Sequence, residues 1–589
     1  MEAQAKELAS QWLAFDWVND TRAEVEDQLE NEDWEAIIKN NVPRIGFGTA
    51  GLRSRMAAGY ANMNALVVRQ TSQGLAHYVA ANVENAKTRG IIVGYDGRYN
   101  SKAFATLTCD VFASLGFKCY LFNRIVATPL VPFGLLHLNC ACGVMVTASH
   151  NPKADNGYKV YWANGAQIIP PHDEGIAASI LSHLKPEEIE ITAEGDAAED
   201  CTDAVVQAYY DAIHASCCYR ETVNPTATVP IVFTAMHGVG KEWIARMSEK
   251  FALPPFINVP SQIEADPEFP TVTFPNPEEG KGALKLAMET ADAHNANVLI
   301  ANDPDSDRLA AAERQAGGEW RIFNGNEMAL LMAAWIVEQE RKRGRDFSKA
   351  VMIASTVSSK VLRAMADAEG FLFDETLTGF KWMGNQAITR TAANFHVLFA
   401  YEVEIGFMPG PCSFDKDGVR AAGLWAEMTH ALYGQNETLN GKLEALYAKY
   451  GYFVMNTRYF FCDGTAQDKV FHRLRHWDDE SSSTISYPTQ IGEYTIASIR
   501  DLTRGYDSAQ PDQKALLPTT KDHMITFTFT NGGVCTFRPS GTEPKLKYYF
   551  EVVSKESKVD ALELLEKMKN VLLEELLQPS KFGLIPPKE

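Results

Sequence analysis

The chain has 589 residues, 46% of them hydrophobic and 22% charged, with a formal net charge of −20. That length exceeds one hydrophobic core and predicts several domains of ordinary soluble composition. The acidic balance excludes nucleic-acid and anionic-membrane partners, which need a basic face, so an anionic small substrate must be met by a local cationic cluster.

Residues 1–42 read as amphipathic helices rich in acidic side chains. From 44 to 220, strands such as 90–93 and 118–122 alternate with helical segments, the α/β signature. The apolar run 141–146 reads as a buried strand, and Asn151-Pro152 turns the chain soon after it. Ser149, in Thr147-Ala148-Ser149-His150-Asn151-Pro152, therefore sits at the carboxyl end of a strand, where open α/β sheets bind ligands. A serine there is either a nucleophile or carrier of a covalent group, or a residue that satisfies backbone groups in a tight turn.

A new βαβ pattern opens at 229, with a strand at 230–234 and a helix at 280–293. The strand 298–301 runs into Asn302-Asp303-Pro304-Asp305-Ser306-Asp307-Arg308. Pro304 argues against helix, and in an extended loop residues two apart share a side, which predicts that Asp303, Asp305 and Asp307 converge. Clustered carboxylates repel unless a cation lies between them. An EF-hand needs Gly and Glu where this chain has Arg308 and Arg314. Three carboxylates leave room for a phosphate oxygen and water, which suits Mg²⁺; the bland alternative is a solvated acidic turn.

A third unit runs through a helix at 326–342, strands at 350–354 and 396–401, and helices to about 450. The tail changes character: 524–529 and 534–537 read as antiparallel strands and 555–577 as a long amphipathic helix, an α+β domain, with loops at 478–483 and 508–514. Within it lies Arg538-Pro539-Ser540-Gly541-Thr542-Glu543-Pro544-Lys545-Leu546-Lys547. Gly541 lets backbone approach a ligand, Ser540 and Thr542 offer hydroxyls, and Arg538 offers a planar fork that matches phosphate; the alternative is a hairpin loop with a basic rim. Neither Cys140/Cys142 nor Cys217/Cys218 has zinc spacing, and no signal peptide, membrane span or lipidation motif is read, so the expectation is a cytoplasmic protein with free thiols.

The order of these three loops resembles the α-D-phosphohexomutase superfamily over nearly the whole chain. Further matches point to its phosphoglucomutase-2-like branch, which includes phosphopentomutases and glucose-1,6-bisphosphate synthase. They are Phe47-Gly48-Thr49-Ala50-Gly51-Leu52-Arg53 with Met56, Gly59 and Met63-Asn64, then Gly94-Tyr95-Asp96-Gly97-Arg98, Pro275-Asn276-Pro277-Glu278, Thr378-Gly379-Phe380-Lys381-Trp382 and Asp415-Lys416-Asp417-Gly418. The resemblance implies three related α/β domains plus a C-terminal α+β domain around a central cleft. The expected limits are 1–220 with the phosphoserine loop, 221–322 with the metal loop, 323–452 with the sugar-recognition loop and 453–589 with the phosphate-binding loop.

It implies an intramolecular phosphotransferase that interconverts sugar 1- and 6-phosphates, or pentose 1- and 5-phosphates, through a phosphoserine and a bisphosphate. Ser149 would carry the phosphoryl group and share Mg²⁺ with Asp303, Asp305 and Asp307, and glucose 1,6-bisphosphate or an equivalent bisphosphate would activate. Arg308 and Arg53 would flank the transfer. Lys159 and Lys416 are the candidate general bases, provided that burial among cations lowers their pKa. His150 is expected only as a site contact, since neighbours in an extended segment face opposite ways. Arg538, Ser540, Gly541 and Thr542, with Lys547 and Lys381, would anchor the non-reacting phosphate. In the family a carboxylate reads sugar hydroxyls; here Tyr401-Glu402-Val403-Glu404-Ile405-Gly406 keeps Glu402, while Glu404 stands where relatives carry a small residue. The expected partners are small phosphosugars, and the chain would be a monomer or homodimer. Competing readings are a glucose-1,6-bisphosphate synthase fed by another phosphoryl donor, a non-catalytic sugar-phosphate-binding regulator, and a metal-dependent phosphatase, which fits the separate anchor loop poorly.

Overall fold

A computed structural model of the chain describes residues 1–46, 50–189, 191–192, 197–226, 228–540 and 544–587. The acidic N-terminal segment forms three helices, Glu2–Phe15, Asn19–Glu30 and Trp34–Asn41. They close around Trp12, Ala5, Ala9, Val25 and Ile37, which meet Ala58 and Leu66 of the next segment.

The first sheet contains β1 (Gly51–Arg55), β2 (Ile91–Tyr95), β3 (Cys119–Leu121), β4 (Cys142–Val146), β5 (Asp155–Trp162) and β6 (Glu199–Asp200), in the order β1-β5-β4-β2-β3-β6. Its centre, β4-β2-β3, is parallel, and β5 returns antiparallel to β4. Every residue of β2 and β4 is buried, which is why these strands read as unbroken apolar runs: a parallel strand covered on both faces has no polar side to show.

The second sheet repeats the plan. It holds β7 (Ile231–Thr234), β8 (Ile257–Asn258), β9 (Val298–Ala301), β10 (Ala310–Arg314) and β11 (Trp320–Ile322), in the order β11-β10-β9-β7-β8. Here β9-β7-β8 is parallel and β10 returns antiparallel to β9. Next come β12 (Ala350–Ser355), β13 (Leu372–Thr376), β14 (His396–Glu402) and β15 (Gly406–Pro409), and β15 returns antiparallel to β14. Three times, then, the chain leaves a buried strand, makes a short loop and comes back antiparallel. Those loops are 147–154, 302–309 and 403–405, the segments that carry Ser149, the three aspartates and the turn after Glu402.

By packing, the chain divides into two units, Met1–Ile353 with Gly379–Asn440, and Ala354–Thr378 with Gly441–Glu589. The second contains an antiparallel sheet of β16 (Tyr452–Phe461), β17 (Gln490–Ile491), β18 (Tyr494–Asp501), β19 (Tyr506–Asp507), β20 (Ile525–Phe529), β21 (Val534–Pro539) and β22 (Lys545–Ser554). Its apolar face, including Phe527, Phe537 and Phe550, packs on Leu565, Met568 and Leu572 of the helix Lys558–Leu572. The expected single helix to 577 changes at Leu573 into a π turn, Leu573–Leu577. Among the described residues no helix is long and apolar enough to cross a membrane, and all ten cysteines are free.

Candidate active site

Ser149 lies just past β4, buried, with φ +52. Its amide donates to Thr147 Oγ1 at 2.9 Å, which closes the turn. The loop is held from behind by Arg98. That guanidinium donates to the carbonyls of Ser149 (2.6 Å), Asn151 (2.6 Å), Pro152 (2.8 Å) and Asp155 (3.3 Å). Asp96 lies 3.2 Å from Arg98 Nε and accepts from the Arg98 amide. Sequence reasoning quoted Arg98 as part of a motif and gave it no role; a fork serving four main-chain oxygens leaves no local trace in the sequence.

In the second loop Asp303, Asp305 and Asp307 are fully buried, and a ligand oxygen from each lies within 4.8 Å of the others. They converge, although not by extended alternation as expected: residues 304–306 form a turn, with Ser306 at φ +55. Packing fixes the turn from outside. A Cβ on Gly238 would lie 2.3 Å from Pro304 Cα, and the Val239 amide donates to Pro304 O at 2.8 Å. Thr128 donates through its amide to Asp305 O (2.9 Å) and through its hydroxyl to Asp305 Oδ2 (2.7 Å).

The two loops meet at the serine. Ser149 Oγ donates to Asp303 Oδ2 at 3.1 Å and accepts from Arg308 Nη1 at 3.0 Å. His150 Nδ1 lies 3.4 Å from Ser149 Oγ and contacts Arg308 Nη1. The expectation that His150 faces away from the serine is therefore corrected: the left-handed turn at Ser149 brings both side chains to one side. Burial, then the Arg308 and Arg53 charges, hold His150 well below its ordinary pKa, so its ring is neutral.

Three carboxylates without a cation would be untenable here, and the chain supplies two lysines. Lys159 Nζ donates to Asp305 Oδ2 (2.7 Å) and Asp307 Oδ2 (2.8 Å), and Lys416 Nζ lies 3.1 Å from Asp307 Oδ2. Burial works against both lysine charges, but the facing carboxylates outweigh it and raise both pKa values. The condition set for a lysine base is therefore not met, because the neighbours of each lysine are chiefly anions. Burial, and then Asp305 and Asp307, push Asp303 up to about 8. The Oδ1 atoms of Asp305 and Asp307 are buried and accept no hydrogen bond among the described residues. Orphaned carboxylate oxygens beside a serine hydroxyl are the hard-oxygen donor set of a divalent cation such as Mg²⁺, so the residues present fit that ion.

The third loop closes on the second. Arg308 pairs with Gly406 as an isolated antiparallel bridge, and its Nε donates to Glu404 O at 3.2 Å. Glu402 is buried, and burial pushes it up to about 8 against the pull of Lys416. A Cβ on Gly406 would lie 2.9 Å from Lys416 Cδ and 3.0 Å from Glu402 Oε1, so those two side chains converge over a glycine. Residues 403–405 form a turn with Ile405 at φ +49, so the spacing of two between Glu402 and Glu404 does not put them on one face as it would in an extended segment. Glu404 is half-buried. Arg53, on β1, is exposed and donates to Asn151 Oδ1 at 3.2 Å, at the edge of the serine loop. Lys381 is half-buried in the helix Phe380–Ala392, its Nζ 5.8 Å from the ring centre of Trp382.

The phosphate-loop candidates belong to the second unit. Arg538 on β21 and Lys547 on β22 are cross-strand partners, Arg538 Nη2 donates to Tyr549 Oη at 3.1 Å, and the Ser540 amide donates to Lys545 O at 2.8 Å. Gly541 and Thr542 lie outside the described residues, as do Phe47, Gly48 and Thr49.

Residues 44–187, 207–318 and 324–450 match, in order, alpha/beta/alpha domains I, II and III of the phosphoglucomutase/phosphomannomutase family. The chain belongs to that family. As a phosphoglucomutase/phosphomannomutase member it is a phosphomutase enzyme of the α-D-phosphohexomutase superfamily, with three α/β domains and a C-terminal sheet-rich domain. A phosphopentomutase of Mus musculus is 43% identical over 608 residues, spanning 100% of this chain and 97% of that protein. A glucose 1,6-bisphosphate synthase of Homo sapiens is 42% identical over 602 residues, spanning 99% and 96%. The open form of a Paramecium phosphoglucomutase, pp63/parafusin, shares the fold of this family member with a TM-score of 0.67 at 17% identity, over 93% of this chain and 98% of that one.

Proposed function

We propose that this protein is a Mg²⁺-dependent phosphosugar mutase that uses Ser149 as its phosphoryl carrier and pentose phosphates as its preferred substrates. The observation that carries this reading is the placement of one buried serine Oγ between a carboxylate of the aspartate cluster and Arg308. Full-length similarity to phosphopentomutases supports the pentose preference. The domain limits at 322 and 452 belong to the same reading, supported by family segments that end at 318 and 450, whereas the second family segment begins at 207, ahead of the limit at 220.

In the forward half-reaction the Ser149 Oγ–P bond breaks and a bond forms from phosphorus to a sugar hydroxyl oxygen. Glu402, whose carboxyl is held at about 8 by burial, takes the hydroxyl proton, while Lys416 and Lys159, each kept charged by facing carboxylates, serve as donors. Arg308 stabilises the charge that develops on Ser149 Oγ. Asp303, Asp305 and Asp307 would hold a Mg²⁺ ion, which would neutralise charge on the transferring group. Glu402 accepts from sugar hydroxyls. The second half-reaction returns the other phosphate of the bisphosphate to Ser149. Arg53 steadies the serine loop; by residue type Arg538, Ser540, Gly541, Thr542 and Lys547 suit a phosphate on the second unit, and Lys381 suits one on the first.

The test is a panel of ribose, deoxyribose, glucose and mannose 1-phosphates, with and without the matching bisphosphate. Turnover of the pentose phosphates is expected, lost in Ser149→Ala and on exhaustive chelation, and restored by Mg²⁺. A fully active, folded Ser149→Ala protein would refute the carrier. A second reading, glucose-1,6-bisphosphate synthase, is favoured by the equally long 42% match to such enzymes. It requires bisphosphate to accumulate when an acyl phosphate donor is supplied with glucose 1-phosphate, and the same panel with that donor separates the two.

A further inference from the structure

A cavity of about 270 Å³ opens in the first unit, lined by none of the carboxylate cluster but among others by Arg220, Asn224, Thr228, His430, Tyr433 and Gln435. We propose that it is a second binding site, for a small phosphorylated polyol. The Arg220 guanidinium, half-buried, makes no hydrogen bond or ion pair among the described residues, although its amide is fixed to Glu427 Oε2 at 2.7 Å. His430 Nδ1 is buried and equally without a partner. A planar fork left unmatched in a concave site is complementary to a phosphate or carboxylate.

The rest of the lining narrows the ligand. The helix Gly418–Tyr433 ends at this cavity, and the partial negative charge of a helix C-terminus favours donors over a second anion. Tyr433 Oη already donates to Glu313 Oε1 at 2.9 Å, so toward the cavity it can only accept. Burial and the Arg220 charge push His430 down to about 4, which leaves a neutral ring able to accept or donate one hydrogen bond. One anionic group at Arg220 and a hydroxyl-bearing body toward His430 and Tyr433 satisfy every unmatched atom, and the volume suits a molecule of few carbons.

The pocket walls are also tied together. Glu427, on the same helix, accepts from the amides of Tyr219 (3.1 Å) and Arg220 (2.7 Å) and from Asn224 Nδ2 (3.1 Å). The cavity is thus pre-formed by one buried carboxylate and does not depend on a ligand to assemble it.

Hydrogen exchange of the full-length protein with glycerol 3-phosphate, inorganic phosphate or malonate tests this. Glycerol 3-phosphate is expected to protect segments 218–226 and 428–436 saturably and more tightly than either other probe. Arg220→Ala should weaken that protection about 10-fold or more, the loss of a charge-assisted hydrogen bond, while any protection of the Ser149 and Asp303 loops persists. Val223→Trp, at the exposed rim, should block the cavity without touching its floor. No protection by any probe, or equal protection in both variants, would overturn the site. Malonate matching glycerol 3-phosphate would overturn the phosphate assignment.

Discussion

Arg98 shows how much of a catalytic geometry can rest on a side chain that touches no substrate. Its guanidinium satisfies four main-chain oxygens of the serine loop. Without it those buried acceptors lose their partner, at about 1–3 kcal/mol for each that water cannot reach, and Ser149 is free to leave the left-handed region. Arg98→Ala and Arg98→Lys should therefore both lower kcat by at least about 10²-fold, since an ammonium cannot span the four oxygens. Substrate KM should move little, because Arg98 binds the loop and not the sugar. A kcat within a few-fold of wild type in Arg98→Lys would show that charge alone suffices. Glu404 is the second position to probe. Its main chain is engaged by Arg308, and the residue is half-buried. If it narrows the sugar pocket, Glu404→Ala raises the ratio of kcat/KM for glucose 1-phosphate to that for ribose 1-phosphate; an unchanged ratio removes it as a specificity element.

At the scale of elements, short contacts at glycines set how the loops meet. A Cβ on Gly418, the first residue of its helix, would lie 2.3 Å from Arg308 O, and the Gly418 amide donates to Ser306 O at 3.1 Å. Gly418→Ala should shift the aspartate loop against the helix that follows Lys416 and reduce turnover, visible as weaker Mg²⁺ affinity in calorimetry; wild-type affinity would show that the contact yields at no cost. In the second unit β22 carries a buried carboxylate under a helix start: Glu551 Oε2 accepts from the Lys360 amide at 2.8 Å, just before the helix Val361–Glu369. Burial pushes Glu551 up to about 7 from an ordinary 4.5, against the Ser359 and Lys360 hydrogen bonds. The folded form then keeps a proton that the unfolded form has released. The stability linked to that proton is complete below pH 4.5 and is lost as pH rises through 7, up to about 3 kcal/mol. Denaturation of the wild type between pH 5 and 8 should show this slope, and Glu551→Gln should flatten it.

Over the whole molecule, the carboxylate cluster and the phosphate-loop candidates fall in different packing units. A cation that binds only the folded first unit stabilises that unit by mass action, about 2.7 kcal/mol at a hundred times its Kd. Mg²⁺ should accordingly raise the unfolding transition reported by peptides from 298–314 and leave that from 525–554 in place. An equal rise in both would mean that the units unfold together.

The alternation of strands and helices, the change to an antiparallel tail, and the three loops were legible in the residues alone. Continuous apolar strands such as β2 and β4 announce burial on both faces, and polar turns rich in Gly, Pro and Asp announce where the chain leaves them. Residue type also sufficed to nominate Ser149, Asp303, Asp305, Asp307 and Arg308, because their chemistry is local to two short loops. What the sequence could not carry was direction. It placed His150 away from Ser149, since it took that segment as extended; a left-handed residue at Ser149 turns it instead. It made the lysines bases only on condition that burial among cations lowers their pKa, whereas folding sets them against Asp305 and Asp307. Nor could it find Arg98 as the clamp of the serine loop, 51 residues away along the chain. Local patterns decide which segments become strands and which become turns. The partners of a buried charge, and the side on which a turn delivers its side chains, are decided only when distant segments pack.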